Sequence, residues 1–382
     1  METPYRQDQS LGLKMGGWSS TARQRRQQLP HCASPSATGS TMAKKLLLLD
    51  VDCGVDDAQA IMMALAAPHV QILGITCCHG NTSIDNVCRN VLRVLKVCHR
   101  SEIPVYRGSI TSILGKQANA DNFHGADGLG DIPDPSPPGM EQIQAEHAVN
   151  ALIRIATTYA GQVSLVAIGP LTNVAMASKM DPTFPSKLKH LYIMGGNMEN
   201  CSSLQSVRAS EGSFTSHQTW SGRGNVTTCA EFNFAADPEA AYIVLNTFTC
   251  PTHIITWEYC IRHPLPWEFF QEWVNQGTEK ASFMKKISAV CEKSAKSRQS
   301  KGELYFEPGF VSCDSYAMAT AIDESVVTEH IKRGVSVELQ GSLTRGMMVL
   351  DALNLLKNQN QAFIATKCDM EKFKHLLMSA LK

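Results

Sequence analysis

Four aspartates fall close together near the start of this 382-residue chain: Asp50, Asp52, Asp56 and Asp57. They follow the apolar run Leu46-Leu47-Leu48-Leu49, bracket Cys53-Gly54-Val55, and lead into Ala58-Gln59-Ala60-Ile61-Met62-Met63. Like charge at that density is costly unless something positive sits among it. A hard divalent cation with oxygen ligands is the fitting chemistry. A plainer reading is open for half the group, because Asp56 and Asp57 suit the first turn of a helix, where acids favour the positive end of the dipole. Capping leaves Asp50 and Asp52 at a strand end without partners.

Further polar groups suit a polyol. They are Gly80-Asn81, Gly224-Asn225, Glu231-Phe232-Asn233, Asp237-Pro238-Glu239, and Asp314 in Phe310-Val311-Ser312-Cys313-Asp314. Asn and Glu side chains pair donors and acceptors in a way that matches vicinal hydroxyls. Taken singly each has an ordinary structural explanation: Asn81 as a turn residue, Asp237 as a helix start, Asp314 as an N-cap. Their recurrence at strand ends favours a shared site. His124 lies in the glycine-rich Phe123-His124-Gly125-Ala126-Asp127-Gly128-Leu129-Gly130. It reads either as a surface residue or as part of a loop that covers a ligand.

The elements that must position these residues alternate. Apolar stretches at Val70–Thr76, Val105–Tyr106, Val163–Ile168, Leu191–Met194, His253–Trp257, Ser336–Leu339 and Ala362–Ala365 read as strands. The stretch before Asp314 reads as an apolar strand end running into a helix at Ala317–Ala321. Helical patterns cover Asn86–Val97, His147–Ala160, Thr172–Ser178 and Met370–Leu381. Repeated βα units imply an α/β fold with a mainly parallel central sheet and helices on both faces. In such sheets ligands bind outside the carboxyl ends of the strands, where the acids lie.

Composition narrows the class. Formal net charge is zero, so no global field favours nucleic acid or an acidic membrane, and no stretch has the apolar length of a transmembrane helix. Thirteen cysteines without a recurring Cys-x-x-Cys pair fit buried reduced thiols better than a disulfide framework or a structural zinc site. Residues 1–41 are polar and basic with no apolar core for a secretory signal. They read as a disordered extension, with Met42-Ala43-Lys44 a natural start and mitochondrial targeting disfavoured by Glu2 and Asp8. Residues 42–382 read as one domain, broken by an aperiodic polar insertion at about 199–223 that is either a lid or a tolerated insert.

Asp50-Val51-Asp52-Cys53-Gly54-Val55-Asp56-Asp57-Ala58 closely resembles the N-terminal signature of the inosine-uridine preferring nucleoside hydrolases. Gly80-Asn81, His124-Gly125-x-x-Gly128-Leu129, Gly169-Pro170-Leu171-Thr172-Asn173, Met194-Gly195-Gly196, Gly224-Asn225, Glu231-Phe232-Asn233 and Asp237-Pro238-Glu239 follow in family order. The resemblance implies a Rossmann-like nucleoside hydrolase fold and calcium-dependent cleavage of ribonucleosides to ribose and free base. It implies Ca²⁺ held by Asp52, Asp57, Asp314 and the Ile168 carbonyl, with Asp52 also the base that takes a proton from the attacking water. By the same likeness Asp56, Asn81, Met194, Asn225, Glu231, Phe232 and Asn233 would hold the sugar, and Asp50 would support the loop from behind. A cytoplasmic homodimer or homotetramer is the implied assembly, with no nucleic-acid or membrane partner.

Two departures bear on catalysis. Cys313 stands where many members place a histidine that protonates the leaving base, which leaves His124 as the candidate acid. Cys53 replaces a proline, which alters turn rigidity more than chemistry. Two alternatives stay open: a ribose- or nucleoside-binding homologue with little turnover, and a phosphatase of the haloacid dehalogenase type using Asp50 as nucleophile. The second lacks a recognisable later lysine and acidic pair and leaves Glu231-Phe232-Asn233 unexplained.

Overall fold

The computed structural model describes residues 44–117, 120, 122–198, 224–301, 308–356 and 361–382. The expected extension at 1–41 and insertion at 199–223 lie outside these residues. Leucines 46–49 start the sheet: β1 (Lys45–Val51) is buried from Leu47 onward. Leu47 and Leu49 pack on one face with the Val55–Ala66 and Ile84–Val97 helices, while Leu48 packs on the other with the Ala148–Thr158 helix. This alternation, with both faces apolar, is what a strand inside a doubly covered sheet requires.

The remaining strands are β2 (Val70–Cys77), β3 (Val105–Arg107), β4 (Ile143–Gln144), β5 (Val163–Ala167), β6 (Leu191–Met194), β7 (Thr252–Ile255), β8 (Val327–Val337), β9 (Met348–Asp351) and β10 (Ala362–Cys368). Their order is β4-β3-β2-β1-β5-β6-β7-β10-β8-β9. Pairing is parallel from β4 through to β10, and antiparallel for β10 with β8 and β8 with β9. From β1 the chain builds outward through β2, β3 and β4, then returns to β1's other side with β5. The carboxyl end of β1 therefore lies at the point where strand order reverses, and the acids lie there too.

Several expected elements differ. The strand foreseen to Trp257 stops at Ile255, because Thr256 accepts a hydrogen bond from the Tyr259 N–H (3.4 Å) and caps a helix over Trp257–Arg262. The short strand foreseen at 336–339 is the end of the longer β8, whose N-terminal half is largely exposed and so lacks an apolar signal. Among the described residues, no strand leads directly into Asp314. Leu265 and Phe310 form only a single bridge, and the helix begins at Cys313 and runs to Ile322. Between β7 and that helix, the Trp257–Arg262, Trp267–Val274, Glu279–Ile287 and Ala289–Ser300 helices cover one sheet face, burying Phe270, Trp273 and Met284.

Candidate active site

Where β1 ends, the chain turns through Asp52-Cys53-Gly54 and starts a helix at Val55. Asp57 closes that turn: its carboxylate accepts the Gly54 N–H (2.8 Å) and the Asp52 N–H (3.2 Å). Capping is thus real for Asp57, and it coexists with the cluster. Asp52 is held from the neighbouring strand, its Oδ2 accepting the Asn81 N–H at 2.8 Å. Gly80 has to be glycine for this approach, since a Cβ there would lie 2.0 Å from Asp52 Oδ2. The Asn81 side chain also donates to Asp57 Oδ2 (3.3 Å).

Asp50 sits behind the turn, fully buried, accepting from Thr76 Oγ1 (2.6 Å) and Asn173 Nδ2 (2.9 Å). Asn173 is the part of this support that the sequence did not reveal. It ties Asp50 to the Cys77 carbonyl (2.9 Å) and to the Ser109 N–H (2.9 Å), partners far away in the chain.

Asp314 arrives from the first turn of the Cys313–Ile322 helix. Asp56, Asp57 and Asp314 bring carboxylate oxygens within 4.8 Å of one another, and Asp56 Oδ1 is buried without a hydrogen-bond partner. The electrostatics say the same thing. Burial, then repulsion from Asp57 and Asp56, pushes Asp52 well up; burial and the Asp56 charge raise Asp57 to about 8. Asp314 is raised well above its ordinary value by burial and by Asp56, Asp57 and Asp52. Dense, buried, uncompensated carboxylates with an orphaned oxygen fit an oxygen-ligated divalent cation, whose charge would remove the repulsion.

The sugar-binding candidates gather along the same strand ends. Glu231 caps the short Phe232–Ala236 helix, accepting from Gly196 N (2.8 Å), Asn233 N (2.9 Å) and Phe234 N (3.2 Å); burial nonetheless raises it to about 7. Asn233 turns its amide to the Ile168 carbonyl (2.9 Å) and the Met194 carbonyl (3.0 Å), which places Ile168, Met194 and Asn233 side by side. Phe232 is half-buried on the same turn. Asn225 lies in an exposed turn that Gly224 closes onto the Thr228 carbonyl (3.1 Å), and is not seated among them.

His124 is buried against the acids. Its Nδ1 accepts the Val55 N–H (3.3 Å), which leaves Nε2 to carry the proton of the neutral ring, 3.6 Å from Asp56 Oδ1. Burial lowers its pKa and Asp56 opposes that. The loop is anchored by Asn90, whose amide donates to the Cys53 (3.1 Å) and Asp127 (2.8 Å) carbonyls, and by Gly130 at φ +77°, where a Cβ would meet the Ile287 carbonyl at 2.4 Å. Of the two readings of His124, the surface residue does not hold: the ring is buried and faces Asp56. Cys313 is half-buried, and a hydrogen bond with Cys260 together with burial pushes its thiol far up. The described cysteines are all free thiols.

The family model described as inosine-uridine preferring nucleoside hydrolase matches residues 47–375. The inosine-uridine preferring nucleoside hydrolase of Crithidia fasciculata is 31% identical, over 88% of this chain and 98% of its own. A pyrimidine-specific ribonucleoside hydrolase, RihB of Escherichia coli, is 37% identical over 54% of this chain and 58% of its own. Among solved structures, the purine-preferring ribonucleoside hydrolase from Gardnerella vaginalis superposes with a TM-score of 0.74 at 25% identity, covering 88% of this chain and 98% of that one.

Proposed function

The chain belongs to the inosine-uridine preferring nucleoside hydrolase family, whose members are N-ribohydrolases, and from that premise we propose a calcium-dependent hydrolysis of ribonucleosides to ribose and free base. The observation that carries it is the knot of carboxylates at the strand-order reversal, Asp52, Asp57 and Asp314 buried and Asp56 half-buried, with an orphaned Asp56 oxygen among them. Asp52, Asp57, Asp314 and the Ile168 carbonyl would hold the ion. Bound calcium supplies positive charge that fixes a water and lowers its pKa.

The chain's own residues account for the rest. Asp52 takes a proton from the water as the water oxygen bonds to C1′ of the ribose, and the C–N bond breaks with its electron pair passing to the base. The sugar passes through an oxocarbenium-like transition state, which Asp56 and Glu231 stabilise as carboxylates while Asn81 and Asn233 orient the hydroxyls. His124 is the proton donor to the departing base: the neutral ring hydrogen-bonds the base through Nε2–H, and the transfer itself runs from the imidazolium form, which returns to the neutral ring as the base leaves. Asp50 braces the turn that presents Asp52. Met194, Phe232 and Asn225 complete the sugar wall, Asn225 only if its exposed turn moves inward.

Cys313 favours a second reading, a nucleoside-binding homologue with slow turnover, because a thiol pushed far up by its hydrogen bond with Cys260 and by burial is a poor acid. Base release from inosine and uridine, measured beside equilibrium binding of the same nucleosides, separates the two. Release in the wild type that is lost on calcium chelation supports the hydrolase; binding without release supports the alternative. A cytoplasmic homodimer or homotetramer belongs to the same proposal. Among the described residues, no helix is long and apolar enough to cross a membrane.

A further inference from the structure

We propose that the sheet edge opposite the carboxylate knot carries a second cation site, built from His190, His253 and Glu324 and suited to a transition metal such as Zn²⁺. His190 immediately precedes β6, and His253 is the second residue of β7, in register with Tyr192. Glu324 follows the end of the Cys313–Ile322 helix, whose first turn carries Asp314. One helix therefore connects the two edges.

The ligand atoms of the three side chains lie within 4.8 Å of one another. His190 Nδ1 stands 3.4 Å from Glu324 Oε1, close to the edge of roughly 3.3 Å expected of a tetrahedron around zinc at its usual bond lengths. That nitrogen is buried and makes no hydrogen bond. The rings are fixed before any ion arrives: His190, Tyr192, His253 and Phe363 stack in series at 5.7, 5.0 and 5.1 Å between centroids. Tyr192 donates its hydroxyl to Glu324 Oε1 (2.6 Å), the kind of outer contact that orients a ligating carboxylate. A cavity of about 120 Å³ opens beside His253 and Glu324, and His330 also lines it. It offers room for a fourth ligand.

Charge state is favourable too. Burial lowers both imidazoles, His253 to about 4, so both are neutral and able to bind metal at neutral pH. Nitrogen donors separate this site from the oxygen-only knot: imidazole suits zinc or cobalt, and carboxylates suit calcium. Two lysines compete: Lys189, whose charge is felt at His190, and Lys45, whose Nζ is tied to the Ala321 carbonyl (2.8 Å) and whose charge is felt at both histidines.

The test is a Co²⁺ titration of the full chain with calcium in large excess, read by visible d–d absorption, followed by Zn²⁺ displacement. One equivalent with a tetrahedral spectrum is expected. His253→Gln and Glu324→Gln should each weaken binding by about 10- to 100-fold, and Lys45→Met should tighten it. Glu324 is exposed, so Glu324→Gln and Lys45→Met keep the test decisive should His253→Gln fail to fold. Equal binding by wild type and these variants, no tetrahedral band, or loss of the band in Asp314→Asn would each overturn the proposal.

Discussion

At the scale of single residues, His124 bears on the chemistry and His79 records the cost of burying a histidine. His124 donates through Nε2 because the Val55 N–H occupies Nδ1. His124→Ala is expected to lower kcat about 100-fold, the usual reach of a general acid, with KM nearly unchanged; an unchanged kcat would remove it from the reaction. His79 is buried beside Thr172 (Nε2 to Oγ1, 3.0 Å), and burial lowers its pKa to about 4. The unfolded chain takes up a proton near pH 6.5 and the folded chain does not until about pH 4. Stability should therefore fall as pH drops through that window and level off below it. Chemical denaturation of wild type and His79→Gln at pH 7 and 5 checks the sign: the wild type should lose more stability on acidification. These details were only partly visible beforehand. The acids stood out because four lie within a single strand-to-helix turn, whereas the His124 tautomer depends on a backbone N–H 69 residues away.

At the scale of elements, the β2 turn is as important as the acidic one. Gly80-Asn81 hands Asp52 its N–H bond, and the glycine is dictated by the 2.0 Å that a Cβ would leave to Asp52 Oδ2. Gly80→Ala should displace Asp52, weaken calcium binding, and cost about 1–3 kcal/mol of stability, as overpacking does in close-packed sites. Isothermal titration and thermal unfolding of the variant would show both effects. Strands with apolar runs buried on both faces were readable because their composition is unlike any loop. The Trp267–Val274 and Glu279–Ile287 helices were not, because each is short and its apolar face is completed only by contact with the rest of the core. All but the end of β8 escaped notice for the opposite reason: an antiparallel strand with a largely exposed half reads as polar chain.

At the scale of the whole molecule, the doubly wound order decides where the chemistry can be. Strand order reverses beside β1, so its carboxyl end opens into the crevice, and β2, β5, β6 and the Cys313–Ile322 helix deliver Asn81, Ile168, Met194 and Asp314 to that edge. Asn173 joins the two halves of the sheet, bonding to Asp50 on β1 and to the Cys77 carbonyl ending β2 from the helix after β5. Asn173→Ala would remove a donor from both buried acceptors, with Thr76 still serving Asp50, at about 1–3 kcal/mol in all. A drop of that order in denaturant unfolding, with the sheet retained by circular dichroism, is the expected result. The Gly169–Asn173 motif singled the residue out but not its role, since its partners lie 123 and 96 positions away.

The most direct measurement is base release from inosine and uridine by wild type and Asp52→Asn, each with calcium and after chelation. The expected result is turnover by the wild type in calcium, abolished by chelation and reduced about 100- to 10,000-fold in Asp52→Asn, as loss of a general base requires. Turnover that persists in Asp52→Asn, or that ignores calcium, would contradict the assignment of the carboxylate knot as the catalytic centre.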